Sequence, residues 1–326
     1  MNEELMVLED IRTYFYVSKS LFKTLTVKAV DGVSLKISKG EIVAIVGESG
    51  SGKTTLGRTA LKLVNPVSGK IIFEGVDITN LTKNLKWFRK KAQMIFQDPF
   101  TSLNPYMTVK QIIEEPLVIH GFGEKERKER IIKALKDVRL YPPEEFLPKY
   151  PHMLSGGQRQ RVGIARSLVL EPSFIVADEP VSMIDASSRA EILFLMRDIQ
   201  KKYNMGIMYI THDIATAKYF SDNIAIMYAG KIVEYGPSYT ILKSPFHPYT
   251  VALIEAVPDP DPQNRFRFRK VIPGEPPNPI NPPSGCRFHP RCPYSDGKRC
   301  VKEEPQLRDF NNRKVACHYA ENFLKK

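Results

Sequence analysis

Short apolar runs alternate with longer amphipathic stretches along this chain, and the two periods predict an α/β fold with a largely parallel sheet. Leu5–Tyr16 reads as a first strand ending in the aromatic cluster Tyr14-Phe15-Tyr16. A polar loop, Ser18–Lys28, precedes a second strand at Ala29–Ile37. Glu41-Ile42-Val43-Ala44-Ile45-Val46 is an apolar, β-branched run, the pattern of a buried strand. A helix follows from about Lys53 and stops before Asn65-Pro66, with strands at Lys70–Phe73 and Ala92–Phe96. From Gln97 to His152 the pattern turns helical and highly charged. Ile131, Ile132, Leu135 and Val138 recur at helical spacing within Glu124–Leu140, so residues 98–160 are expected to form a helical subdomain. Ser155 is placed as the N-cap of a helix with Val162, Ala165, Leu168 and Val169 on one face. The remaining elements are a strand at Ser173–Ala177, a helix at Ala190–Tyr203, a strand at Ile207–Ile210, and a hairpin. The hairpin pairs Ile224–Tyr228 with Lys231–Glu234 around Ala229-Gly230. Nine prolines between Pro258 and Pro283 forbid a helix there, so the domain boundary is placed near Val257. The expected domains are 1–257 and 258–326, with no internal repeat.

Composition narrows the class only a little. A chain of 326 residues with 42% hydrophobic content has the size and make-up of about two globular domains. No apolar run approaches the roughly 18 residues of a membrane span, and the acidic start Met1-Asn2-Glu3-Glu4-Leu5 does not read as a secretion signal. A cytoplasmic protein, soluble or peripheral to a membrane, is expected. The net charge of +12 is compatible with nucleic acid or an anionic membrane surface. All four cysteines lie after residue 285, which in a cytosolic protein favours metal over disulfides.

The chemistry begins at Gly47-Glu48-Ser49-Gly50-Ser51-Gly52-Lys53-Thr54-Thr55, which satisfies G-x-x-x-x-G-K-[ST] at every fixed position. Glycines let the backbone curl so that successive N–H groups point inward, and the helix beginning near Lys53 aims its N-terminal dipole at the same point. Lys53 adds a positive charge over the outer phosphates, and the Thr54 hydroxyl can hold Mg²⁺. Phe174-Ile175-Val176-Ala177-Asp178-Glu179 is an apolar strand ending in two carboxylates. Asp178 is placed to hold Mg²⁺ through water and Glu179 to polarise an attacking water, the set that phosphoryl transfer asks for. Leu154-Ser155-Gly156-Gly157-Gln158 places a serine and two glycines at a helix start, a second phosphate-binding corner. Two corners on one chain make sense if the second serves a nucleotide held by another subunit, which implies a dimer with ATP between its members.

The phosphate loop, Leu154–Gln158 and Asp178-Glu179, in that order along the chain and at that spacing, resemble the ATP-binding subunits of ABC transporters, and the resemblance covers about Leu5 to Val257. It implies a P-loop ATPase domain with a mixed strand core and a helical subdomain. It further implies that Gln97, in Phe96-Gln97-Asp98-Pro99, contacts Mg²⁺ and couples to membrane subunits. Ser182-Met183-Ile184-Asp185 takes the place of the family's Ser-Ala-Leu-Asp, and His212, in Ile210-Thr211-His212-Asp213, contacts the γ-phosphate. The resemblance also implies that an aromatic at the end of the first strand stacks on adenine. The count points to Phe15, with Tyr14, Tyr16 and Phe22 as alternatives.

The tail sharpens the resemblance. Ser244-Pro245-Phe246-His247-Pro248-Tyr249, Pro273-Gly274-Glu275-Pro276-Pro277 and Gly285-Cys286-Arg287-Phe288-His289-Pro290-Arg291-Cys292-Pro293 resemble the dipeptide and oligopeptide branch of the family. That branch imports peptides, nickel chelates or oligosaccharides, with two ATPases beneath two permeases fed by an external binding protein. Its implied place is the cytoplasmic face of the membrane. Cys286, Cys292, Cys300 and Cys317 suit a tetrahedral metal site. The resemblance implies a [4Fe–4S] cluster. Zn²⁺ is the alternative, with His289 and His318 close by in sequence, and four unligated thiols are the third reading. Arg265-Phe266-Arg267-Phe268-Arg269-Lys270 interleaves basic and aromatic residues and is read as an edge strand rather than a nucleic-acid surface. A soluble ABC-type ATPase acting on nucleic acid is the distant alternative; the importer reading expects no nucleic-acid partner.

Overall fold

The computed structural model describes residues 3–20, 23–257 and 274–323. Its strands are β1 (Glu4–Ser20), β2 (Lys23–Ser38), β3 (Ile42–Val46), β4 (Ser68–Phe73), β5 (Val76–Asp77) and β6 (Ala92–Ile95). They continue as β7 (Phe174–Asp178), β8 (Gly206–Thr211), β9 (Asn223–Tyr228), β10 (Lys231–Pro237), β11 (Arg308–Phe310) and β12 (Arg313–Val315). The chain divides into two compact units.

One unit comprises residues up to Met6, Ile37–Glu41 and Asn80–Tyr209. Its strand core runs in the order β8-β7-β6. The parallel pair β6 and β7 is in register from Ala92 opposite Phe174 to Ile95 opposite Ala177. All five residues of β7 are buried, which is why it reads as an unbroken apolar run. Three helices pack together in the same unit: Val109–Ile119, Glu124–Asp137 and Gly156–Leu168. They bury Ile112, Ile113 and Leu117 from the first, Ile131, Ala134 and Leu135 from the second, and Val162, Ile164, Ala165 and Leu168 from the third. Their apolar stripes are the helical periodicity of the sequence.

The other unit comprises Val7–Lys36, Ile42–Thr79 and Ile210–Lys326. It holds a sheet in the order β2-β1-β4-β5 and the strands β11-β12-β10-β9-β3 of a second sheet. β3 runs parallel to β9, whereas β9, β10, β12 and β11 pair antiparallel in succession. The C-terminal segment therefore extends the sheet directly: Glu234 and Tyr235 of β10 lie opposite Val315 and Lys314 of β12.

β1 and β2 run further than their hydrophobicity suggests, so that most of the expected polar loop Ser18–Lys28 is strand. A strand ladder satisfies the backbone whatever the side chains are, and the β-branched Thr24, Thr26 and Val27 suit it. The Arg265–Lys270 segment lies outside the described residues.

Candidate functional site

The phosphate loop leaves β3 at Val46 and enters the helix Lys53–Ala60. Two of its glycines are demanded by close approach. A Cβ on Gly47 would lie 2.1 Å from the Met227 carbonyl oxygen, and one on Gly52, at φ 102°, would lie 2.0 Å from that of Ala29. The Lys53 ammonium is buried and donates to the carbonyls of Gly47 and Glu48, both at 2.8 Å. Ser51 is buried, while Ser49 and Gly50 are exposed and Thr54 and Thr55 half-buried. In the same unit His212 sits exposed at the end of β8. The next residue, Asp213, caps the helix Ile214–Phe220 by accepting from the N–H groups of Ala215 and Thr216.

The carboxylate pair stands in the other unit. Asp178 ends β7 and is 3% exposed. Glu179 follows with φ 44°, a left-handed conformation that a non-glycine residue adopts only where the surroundings enforce it. Its carbonyl accepts from both the N–H and the hydroxyl of Ser182, and its carboxylate accepts from Gln97 Nε2 at 3.0 Å. Gln97 and Glu179, 82 positions apart in sequence, are thus brought together. Ile184 is buried and Met183 exposed, so the two departures from the family's usual Ala-Leu differ in environment.

Ser155 caps the helix Gly156–Leu168 in a reciprocal box: its hydroxyl accepts from Gln158 N–H, and its own N–H donates to Gln158 Oε1. Gly156 and Gly157 form the first turn; a Cβ on Gly156 would meet nothing within 4 Å, and one on Gly157 would touch the Ser188 side chain at 3.7 Å. Of the aromatic candidates on β1, Tyr14 donates its hydroxyl to Asp31, whereas Phe15 is 39% and Tyr16 63% exposed. Phe22 lies outside the described residues.

With this geometry in place, similarity to known proteins decides the class. The ABC transporter family profile matches residues 30–182, and the oligopeptide/dipeptide transporter C-terminal region matches 233–300. The oligopeptide transport ATP-binding protein AppF of Bacillus subtilis is 44% identical over 323 residues, 97% of each chain. The chain belongs to the ABC transporter family. A Brucella ovis protein whose name assigns it to peptide import as an ATP-binding protein is 47% identical over 88% of this chain and 90% of its own. Among solved structures, the ATP-binding cassette MJ0796, a dimer in a post-hydrolysis state with ADP and Pi, superposes with a TM-score of 0.63. It is 28% identical and covers 72% of this chain and 99% of its own. The cbiO1 subunit of Clostridium perfringens gives 0.64 at 29% identity, covering 74% and 91%. The protein is thus an ABC ATPase whose substrate is ATP with Mg²⁺. No helix among its described residues is long and apolar enough to cross a membrane.

The four cysteines of this ABC protein do converge. Cys286, Cys292, Cys300 and Cys317 line one cavity of about 20 Å³ together with His289 and His318. Yet among the described residues no set of three or more His, Cys, Asp or Glu side chains is arranged to hold a metal ion. The four-cysteine ligand set expected from sequence is therefore not formed as such. Burial pushes the thiols of Cys286, Cys292 and Cys317 up to about 11, so they are protonated at neutral pH in the metal-free fold and would release those protons on taking up a metal.

The His-Pro-Tyr segment has a structural use that its sequence does not announce. His247 is 1% exposed, and its Nδ1 accepts from Tyr249 N–H at 3.1 Å to cap the helix Pro248–Glu255. Its backbone N–H donates to the buried Glu234, which also pairs with Arg313 at 3.5 Å. Burial pushes the imidazole pKa down from 6.5 to about 3. The folded state thus favours the neutral ring. This contribution is full above pH 6.5 and is lost as pH falls from there toward 3, at about 1.4 kcal/mol per unit. Asparagine is a good cap that does not titrate. Between pH 7.5 and 5 the natural chain is expected to lose about 2 kcal/mol relative to His247→Asn, read by chemical denaturation. Equal losses in both would show that the ring is not held neutral.

Proposed function

We propose that this ABC ATPase powers the import of peptides across a cell membrane. The observation that carries the solute class is similarity over the whole chain to a protein named for oligopeptide transport, with the matching C-terminal region. In this reading the chain lies on the cytoplasmic face beneath two permeases. It pairs with a second ATPase or another copy of itself, and an external binding protein delivers the solute. Oligosaccharides and nickel chelates are the alternative solutes for the same architecture. Residues 1–257 form the ATPase domain and 258–326 the extension.

The proposed roles follow from the residues. Gly47 shapes the loop, and the backbone N–H groups of Ser49, Gly50, Ser51, Gly52, Lys53, Thr54 and Thr55 bind the phosphates, with the Lys53 ammonium over the outer ones. Thr54, Asp178 and Gln97 hold Mg²⁺, which offsets the charge of the phosphates. Glu179 takes a proton from water as the water oxygen attacks the γ-phosphorus and the bond to the bridging oxygen breaks, releasing ADP and phosphate. His212 contacts the γ-phosphate. Ser155, Gly156, Gly157 and Gln158 act on ATP held by the partner subunit, and Phe15 stacks on adenine. Phe96, Phe100 and Tyr106, all exposed in the unit that carries Gln97, offer apolar surface to a permease.

Capture of the chain from gently solubilised native membranes is expected to bring along two permeases and a second ATPase. The accompanying binding protein can then be screened with peptides, oligosaccharides and nickel chelates. Recovery only from the soluble fraction, with nucleic acid, would overturn the importer reading.

The four cysteines are proposed as a [4Fe–4S] site, with Zn²⁺ as the alternative. The support is that all four thiols line one cavity; no step of hydrolysis is routed through it. Anaerobically purified protein is expected to carry iron and acid-labile sulfide. Colourless protein with well under about one iron per chain removes the cluster.

A further inference from the structure

The fixed positions of the phosphate-loop motif say nothing about its second residue, which here is Glu48. A carboxylate is an unfavourable choice beside a polyanionic ligand unless its charge is met. The C-terminal extension meets it. Arg291 donates from Nη1 to Glu48 Oε2 at 2.8 Å and from Nη2 to Glu48 Oε1 at 3.2 Å. This is the two-pronged geometry of a strong arginine–carboxylate pair. The Arg291 side chain is only 8% exposed, reaches the Tyr228 hydroxyl at 3.3 Å and lies over the Tyr228 ring. The backbone of Glu48 is held as well. Its N–H donates to the hydroxyl of the buried Tyr249 at 2.8 Å, and its carbonyl accepts from the Lys53 ammonium at 2.8 Å.

A second contact grips the far side of the loop. Arg287 donates to the Ala229 carbonyl and pairs with Asp31, and the neighbouring Gly230 N–H donates to the Ser51 carbonyl at 2.9 Å. Phe288 packs against Tyr228 and Tyr249 at ring separations of 5.2 and 5.4 Å, which fixes the segment that carries both arginines. One short stretch, 287–291, therefore bears on the phosphate loop at Glu48 directly and at Ser51 through the Ala229-Gly230 turn.

We propose that the C-terminal extension is part of the ATP site, with Arg291 as a positioning residue that neutralises Glu48 and holds the phosphate loop in its receptive shape. The proposal rests on the reading of residues 47–55 as the nucleotide-phosphate site. Removing the guanidinium bares the Glu48 charge beside the phosphates and frees the lysine-bearing loop. Removing both charges restores neutrality.

The test is ATP affinity of the full chain, measured with a fluorescent ATP analogue. Arg291→Met is expected to weaken binding on the order of tenfold, and the loss should shrink in high salt, because a bare charge is screened and a misfolded loop is not. Glu48→Gln added to Arg291→Met is expected to recover most of the affinity; a merely structural arginine would not be rescued that way. Tyr249→Phe removes one hydroxyl from a packed ring. It is expected to weaken binding by a few-fold at a nearly unchanged melting temperature, and it carries the test if Arg291→Met does not fold. Unchanged affinity in Tyr249→Phe and in any folded Arg291→Met overturns the proposal, as does an Arg291→Met loss that Glu48→Gln fails to relieve. Lys53→Met separates the two readings: if it too leaves affinity unchanged, the phosphate-loop assignment itself has failed.

Discussion

Glu179→Gln is expected to lower ATP turnover by about 10²- to 10⁴-fold while leaving ATP binding in place, so that the ATP-bound dimer accumulates. The geometry makes this substitution clean. Glutamine has the same shape, its carbonyl oxygen can still accept from Gln97 Nε2, and the hold of Ser182 on the residue's own carbonyl is a backbone matter that survives. The strained left-handed backbone at this position, φ 44°, is also retained. What disappears is the ability to take a proton. Single-turnover hydrolysis and equilibrium ATP binding, measured side by side, separate the two effects. Turnover within about tenfold of the natural chain would remove Glu179 from the proton-accepting role and move the search to neighbouring groups.

Gly52→Ala is expected to abolish ATP binding, whereas Gly50→Ala is expected to keep most of it. Both glycines have positive φ, 102° and 78°, so both substitutions carry the backbone strain of a left-handed residue, about 1–2 kcal/mol. Only space distinguishes them. A Cβ on Gly52 would stand 2.0 Å from the Ala29 carbonyl oxygen, and the Met227 methyl lies 2.9 Å away. On Gly50 it would meet nothing within 4 Å. Backbone cannot yield as a flexible side chain can, so Gly52→Ala must displace either β2 or the loop from which Lys53 projects. Calorimetric ATP titration of the two variants decides the matter. Comparable affinities would mean that the loop relaxes freely and that its shape is not set by packing.

The phosphate loop, the carboxylate pair and the capped helix of the second phosphate corner were legible because each is written in consecutive residues. A strand, a turn and a helix start are local structures, and the residue types that form them are also the ones proposed to do the chemistry. Five-residue buried strands such as β3 and β7 declared themselves as apolar runs for the same reason. The full length of β1 and β2 was less legible. The end of β1 and the start of β2 are polar, and ladder hydrogen bonds do not depend on side-chain hydrophobicity. The cysteines announced a shared site, and the fold does draw them to one cavity. No set of side chains arranged to hold a metal ion forms there among the described residues.

By itself, then, the order of residues determined the family and the ATPase activity that comes with it, since the motifs that mark them are short stretches with fixed local geometry. Only the tertiary structure decided what the extension does to that machinery. Glu48 and Arg291 are 243 positions apart, and neither is remarkable in its own segment. His-Pro-Tyr and Phe-His-Pro-Arg could be read as branch markers, but not as a helix cap, a hydroxyl on the phosphate loop and a guanidinium against its carboxylate. Such pairings arise when strands from distant parts of a chain are laid side by side, as β12 is on β10, and no local pattern encodes which of many charged residues will meet.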